Sequence, residues 1–290
     1  MNNMKVFLLM SVLTAILVGI GNVFGGPRGA LLFLLIALGM NFFSYWYSDK
    51  MAIRMTGAQP LEPQEAPELY AMVRELSAKA KLPMPRLYMT PERQPNAFAT
   101  GRNPEHSAVA VTAGLVQLLE REEIAGVLAH ELAHIKNRDV LLGTIAATLA
   151  GAIGLIANAA QWGLMFGGAR GEGEEGGNPL GGILMIILMP IAAAIIQMAI
   201  SRSREYRADA VGAAICGRPL GLANALTKLE RVAQQVPADL TPATAHLFIV
   251  NPLRGESLAN LFSTHPPIKE RVKRLTEMAE HSHAKIAVQA

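Results

Sequence analysis

Residues 130–134 run His130-Glu131-Leu132-Ala133-His134. Histidines four apart stand on one face of a helix, one turn from each other, so both imidazoles can converge on one zinc ion. Glu131 sits beside the pair, where its carboxylate can reach a water on the metal. The neighbours Val127, Leu128, Ala129, Leu132, Ala133 and Ile135 are small or apolar, as a buried helix needs. The pattern predicts a helix over 119–138, with Glu120, Glu122 and Glu123 in its first turns, the favoured sign at that end.

Upstream of this helix, 66–80 reads as an amphipathic helix. Pro67 stands in its first turn, and Leu69, Met72, Val73, Leu76 and Ala80 lie on one face. Strands are predicted at 86–90, 96–100 and 107–112, the last two around an Arg102-Asn103-Pro104-Glu105 turn. Downstream, helices are predicted at 201–215, 219–234, 255–262 and 266–280, followed by a loose tail.

These polar segments are separated by two very apolar blocks. Of the 290 residues, 51% are apolar and 17% charged, against roughly a quarter charged in an average soluble protein. Positions 6–48 carry one charge, Arg28, and positions 140–200 carry four, Arg170, Glu172, Glu174 and Glu175. The composition excludes a disordered chain and a collagen-like fibre. A lone cysteine, Cys216, cannot form an internal disulfide. The net charge of +3 is too small and too scattered to point to nucleic acid.

Each block is long enough to cross a bilayer twice, since one helical crossing takes about 20 apolar residues. The first divides at Gly25-Gly26-Pro27, giving spans near 6–23 and 30–47, and aromatic residues gather at the end of the second. The other block divides at an acidic Gly-rich loop, 167–178, into spans near 140–166 and 180–200. Lys5, Lys50, Arg54, Lys136, Arg138, Arg202, Arg204 and Arg207 flank the spans on one side, and Arg28 and Arg170 on the other. This asymmetry places both termini and the polar segments in the cytoplasm of a bacterial inner membrane. Residues 1–48 then hold two transmembrane helices and 140–200 a second pair. The segments 49–139 and 201–290 are two cytoplasmic pieces of one domain.

Two histidines leave a zinc site incomplete. Glu205 and Asp209, four apart on a predicted helix, supply candidates for a metal ligand and for a group that orients one. Carboxylates at that spacing are also common on solvated helix faces, so the residues alone leave this open. His265 can equally be explained as a helix start, with Thr264 as N-cap and Pro266 as the first helical residue.

Taken together, His130-Glu131-x-x-His134-x-x-Asn137-x-Asp139, Glu205-Tyr206-x-Ala208-Asp209 and Ser263-Thr264-His265-Pro266-Pro267 resemble the HtpX membrane zinc endopeptidases, relatives of the CAAX prenyl proteases and of the OMA-type proteases. The resemblance covers essentially the whole chain. It implies a mainly α membrane protein with four transmembrane helices and a cytoplasmic zincin-like (gluzincin) α+β catalytic domain containing a small sheet. It further implies one zinc ion per chain, held by His130, His134 and Glu205, with Glu131 as general base. Asp209 and Asp139 would support the ligands, and His265 would donate to the developing oxyanion. The expected activity is that of a zinc metalloendopeptidase acting on damaged or misfolded membrane proteins in stress-related quality control. Its expected partners are the lipid bilayer and extended polypeptide substrates, which in proteases of this class add as a further strand to the cleft edge, here expected at 107–112, with self-association left open. Competing readings are a prenyl-protein processing protease, an intramembrane protease, and a zinc-binding membrane scaffold without activity.

Overall fold

The structure is a computed structural model and describes residues 2–143, 145–146, 202–235, 247–250 and 266–289. Most of the spans expected near 140–166 and 180–200, the acidic loop at 167–178 and the helix expected at 255–262 lie outside the described residues.

Helix α1 (Asn2–Trp46) is two helical arms broken at Gly25 and Gly26. Gly26 has φ 56° and ψ −148°, a conformation that side chains with a Cβ avoid, and Pro27 behind it lacks the N–H a continuous helix would use. The break folds the arms into an antiparallel hairpin. Deep in the second arm, Asn41 Nδ2 donates to the Met10 carbonyl at 3.3 Å and to Thr14 Oγ1 at 3.0 Å. Stretches Met4–Val23 and Gly25–Trp46 are each long and apolar enough to cross a membrane. Leu141, Leu142, Ile145 and Ala146 pack onto Val6, Leu9, Leu13, Leu17 and Ala37 of the hairpin. The chain therefore enters the hairpin's apolar core two residues after Asp139.

Helix α2 (Ser48–Met55) leads to a four-stranded mixed sheet of β1 (Gln59–Pro60), β2 (Arg86–Thr90), β3 (Ala97–Gly101) and β4 (Ser107–Thr112). The spatial order is β1-β2-β4-β3, with β2 parallel to β4 and the other pairs antiparallel. β4 is thus interior, and all six of its residues are buried. This corrects the expectation that 107–112 lines the cleft, because β3 is the edge on that side. Side chains alternate between faces as a strand requires. Val109 and Val111 join Leu87 and Ala97 in the main core, whereas Ala110 and Phe98 face Ala52 and Ala58 on the other side.

Helix α3 (Pro67–Ala80) buries the predicted face, Leu69, Met72, Val73, Leu76 and Ala80, against that main core. The helix predicted over 119–138 is α5 (Arg121–Asn137), and a short helix not expected from the sequence, α4 (Ala113–Leu118), precedes it. Thr112 caps α4 by accepting from Leu115 N–H at 3.1 Å. Glu123 begins α5 by accepting from the Glu120 N–H at 2.8 Å, the reciprocal half of a capping box. Helices α6 (Arg202–Cys216), α7 (Pro219–Gln235) and α8 (Ile268–Gln289) complete the description. α8 continues well past the predicted end at 280, since no glycine or proline interrupts 268–289. α6 lies tightly on α5, and a Cβ on Gly212 would come within 2.9 Å of the His130 backbone. Only glycine allows this spacing, which sets how near α6 brings its carboxylates to the histidines.

Candidate metal centre

The middle of α5 is almost entirely buried, and its polar residues are buried with it: His130 is 1% exposed and Glu131 5%. Burying such groups without partners would be costly, so their partners define the site. The Nε2 atoms of His130 and His134 face each other at 3.2 Å. Glu205 of α6 brings Oε2 to 3.7 Å from His130 Nε2 and Oε1 to 3.6 Å from His134 Nε2. The three ligand atoms, one from each residue, lie within 4.8 Å of one another and can hold a metal ion.

The donor set fits a tetrahedral ion. Bonds of 2.0–2.1 Å at tetrahedral angles put donor atoms roughly 3.3 Å apart, close to the separations seen. The far sides of both rings point to the same conclusion. His130 Nδ1 lies 3.0 Å from Asp209 Oδ1, too bent for a well-formed hydrogen bond, and His134 Nδ1 lies 3.4 Å from Asp139 Oδ2. Carboxylates there favour the proton on each Nδ1, which leaves two Nε2 lone pairs facing one another and a third carboxylate. Such a pocket is completed by a cation.

Local backbone geometry explains how Asp139 reaches its histidine. α5 ends where Arg138 turns into the left-handed region at φ 57°. The reversal lets Asp139 N–H donate to the His134 carbonyl at 3.0 Å and brings its carboxylate back to the ring. Arg207 Nη2 donates to the other carboxylate oxygen at 3.3 Å.

Sequence reasoning missed one buried group. Arg271 of α8 is fully buried and grips Asp209 with two hydrogen bonds, Nε to Oδ2 at 2.8 Å and Nη2 to Oδ1 at 2.7 Å. Its Nη1 lies 3.8 Å from Glu205 Oε2 and its Nη2 3.4 Å from His130 Nε2. The available signal was an arginine on the apolar stripe of a helix. Burial alone would raise the Asp209 carboxyl, but Arg271 and His130 outweigh it and hold it down to about 2. Burial lowers the His130 imidazole, and Asp209 and Glu205 outweigh it in the other direction, up to about 9 in the metal-free protein.

Glu131 points to the edge strand. Its Oε2 accepts from the Ala99 N–H of β3 at 2.8 Å, and burial raises its carboxyl above the ordinary range. β3 therefore does not use this N–H in the sheet. Asn96, Phe98 and Thr100 are the positions bonded to β4, and Ala97, Ala99 and Gly101 turn their backbone groups to the open edge. Buried Asn96 ties the start of β3 to a distant loop, donating to the Leu247 carbonyl at 3.1 Å and accepting from the Ile249 N–H at 3.1 Å. Of the residues singled out from sequence, His130, Glu131, His134, Asp139, Glu205 and Asp209 converge here, and His265 lies outside the described residues.

Comparison with known proteins agrees with this arrangement. The model of peptidase family M48 matches residues 63–279, a stretch that contains α5, α6 and most of α8. The protease HtpX homolog of Pelotomaculum thermopropionicum is 63% identical over 280 residues, covering 96% of this chain and 100% of that one. The protease HtpX homolog of Aquifex aeolicus is 57% identical over 268 residues, covering 91% and 89%. Among solved structures, Ste24p of S. mikatae resembles this chain with a TM-score of 0.51 at 19% identity, over 91% of this chain and 62% of that one. That likeness concerns the fold. A histidine–glutamate donor set on buried helices, within full-length relatives that are proteases, makes this chain a metalloprotease, and it belongs to peptidase family M48.

Proposed function

We propose that the metal is zinc and that the chain is an integral-membrane endopeptidase acting on membrane proteins close to the bilayer. The observation that carries this reading is the pair of Nε2 atoms 3.2 Å apart with Glu205 beside them. Two imidazoles and one carboxylate are the set that catalytic zinc takes while keeping a position open. His130, His134 and Glu205 are the ligands. Asp209 orients His130, and Asp139 orients His134.

A bound zinc supplies Lewis acidity towards water and towards a peptide carbonyl. Glu131 is the proton carrier. One of its oxygens is fixed by the Ala99 N–H, and its raised pKa suits a group that takes a proton from the attacking water and returns it to the leaving amine. An extended substrate pairs with the outer edge of β3 at the Ala99 carbonyl, the N–H of that residue being held by Glu131, and this places a substrate backbone carbonyl beside Glu131. Backbone pairing of this kind reads few side chains, in keeping with broad specificity. His265 donates to the developing oxyanion.

The metal helix ends against the membrane hairpin, because Leu141 and Leu142 already pack on α1. Substrates cut at this height are loops and tails of membrane proteins, and removal of damaged ones in stress-related quality control fits that position. The topology proposed is four spans, with both termini and the protease domain in the cytoplasm of the bacterial inner membrane.

The test compares the unmodified protein with Glu131→Gln, purified in detergent without chelators, by zinc analysis and casein cleavage. One zinc per chain in both and cleavage only in the unmodified protein is the expected result. Near-full activity in Glu131→Gln would overturn the role given to Glu131, and a folded sample without zinc would overturn the metal assignment.

A further inference from the structure

At the junction between the hairpin and the sheet lies a cavity of about 540 Å³ that the protease chemistry does not use. Its walls come from four elements, two of them distant in the chain from the others. The end of α1 gives Phe42 and Trp46, with Tyr47 just after it. Helix α2 gives Lys50, and the start of β2 gives Arg86. The turn between β3 and β4 gives Arg102. One side is aromatic and the other cationic.

The cations are differently committed. Arg86 is paired with Asp49, which is buried. Lys50 and Arg102 are held on aromatic rings instead. The Lys50 ammonium lies 5.3 Å from the Tyr47 ring centroid, and the Arg102 guanidinium lies 4.8 Å from that of Trp46. Arg102 Nη1 also donates to the Trp46 carbonyl at 3.2 Å. Among the described residues neither cation is in an ion pair with a carboxylate. Ring stacking positions a cation without neutralising it, so both keep their charge for an anion. Glu105 on the rim opposes them and is exposed to solvent.

The position of the cavity selects the anion. The arm Gly25–Trp46 has 22 residues, about 33 Å at 1.5 Å per residue, which matches a hydrocarbon core of about 30 Å. Its outer side is exposed and apolar, with Phe42 54% exposed and Trp46 46%. Trp46 and Tyr47 thus stand at headgroup height. We propose that this cavity binds an anionic phospholipid, with its phosphate between Lys50 and Arg102 and its acyl chains along Phe42 and Trp46. Guanidinium and ammonium groups at this depth are suited to a phosphate diester.

The protein contains two tryptophans, so Trp162→Phe leaves Trp46 as the sole reporter. The experiment titrates the full chain, carrying Trp162→Phe and Glu131→Gln, in detergent with phosphatidylglycerol or phosphatidylcholine bearing brominated acyl chains. Saturable quenching by phosphatidylglycerol at a tenfold lower mole fraction than phosphatidylcholine is expected. Lys50→Ala with Arg102→Ala should raise the half-quenching mole fraction about tenfold or more, since each basic residue near an anionic surface contributes roughly fivefold. Arg54→Ala, an exposed change on the same helix outside the cavity, should leave it unchanged.

Equal quenching by the two lipids would overturn the proposal without reference to any variant. So would an equal loss in Arg54→Ala, which would show surface charge alone. Relief of the quenching by millimolar inorganic phosphate would assign the cavity to a soluble anion and overturn the lipid reading.

Discussion

Replacing Arg271 by methionine tests whether the buried arginine supports the metal site. The guanidinium is fully buried and gives two hydrogen bonds, 2.8 and 2.7 Å, to Asp209, itself 3% exposed. Removing it leaves Asp209 a buried carboxylate with its closest cation gone. Breaking one partner from a buried charge pair costs about 3–5 kcal/mol. For a fold of this size each kcal/mol moves the melting temperature by about 2–4 °C, so Arg271→Met should melt roughly 6–20 °C lower. The assay is thermal unfolding in detergent with saturating zinc, in the Glu131→Gln background to prevent self-cleavage. Asp209→Asn in the same chain removes the stranded charge and should return at least half of the loss. Arg271→Lys should recover less than the parent, since an ammonium cannot grip both oxygens of Asp209. A melting point within about 2 °C of the parent, or a double variant that simply adds the two single losses, would refute the coupling.

Other consequences follow from the same geometry. Glu205→Gln should lower zinc affinity by orders of magnitude, whereas Asp139→Asn, which stands behind the His134 ring and away from the ligand atoms, should cost about 10–100-fold; competition with a chromogenic chelator measures both, and an unchanged Glu205→Gln would remove it as a ligand. Chelation should lower the melting temperature, and zinc restored to 100 times its dissociation constant should return about 2.7 kcal/mol. That shift should vanish in His130→Ala. Ala99→Pro removes the N–H that fixes Glu131 on the outer side of β3 and should lower activity more than the melting temperature, while Phe98→Pro breaks the ladder to β4 and should lower the melting temperature. Equal effects of the two prolines would refute a reaction centre at the outer edge of β3.

The metal helix was legible because its chemistry is local. Histidines one turn apart, apolar neighbours and acidic first turns lie within about twenty residues, and α5 carries them as read. The hairpin was legible for a similar reason, since Gly25-Gly26-Pro27 interrupts two apolar runs and the chain breaks there. The sheet was harder. Strands β2, β3 and β4 were read within one residue and the two-residue β1 was missed, but the order depends on which side β3 folds back to. The run Ser107-Ala-Val-Ala-Val-Thr112 did hold a clue. A continuous run of small and apolar residues without polar alternation is what a strand buried on both faces looks like, and such a strand is interior. Reading it as the edge overlooked that both of its faces had to be covered.

Arg271 shows how a residue distant in sequence could still have been found. Ile268, Val272, Leu275, Met278 and Ala279 form the inward stripe of α8, and Arg271 stands in the middle of it. A charge on such a stripe requires a buried counter-charge, because an unpaired guanidinium in a core is too costly to keep. Of the two carboxylates on α6, Glu205 faces both histidine Nε2 atoms, and Asp209 is the one left for a cation. Pairing them also explains why Asp209 can stand behind His130 as a full negative charge while buried. Without Arg271 the carboxyl would be pushed towards its protonated form, and it would then stop favouring the proton on His130 Nδ1. The lone pair that the metal needs on Nε2 would no longer be secured. On this argument the arginine belongs to the metal site although it binds no metal, and its sign, its burial and its place on the stripe follow from the charge of the residue it holds.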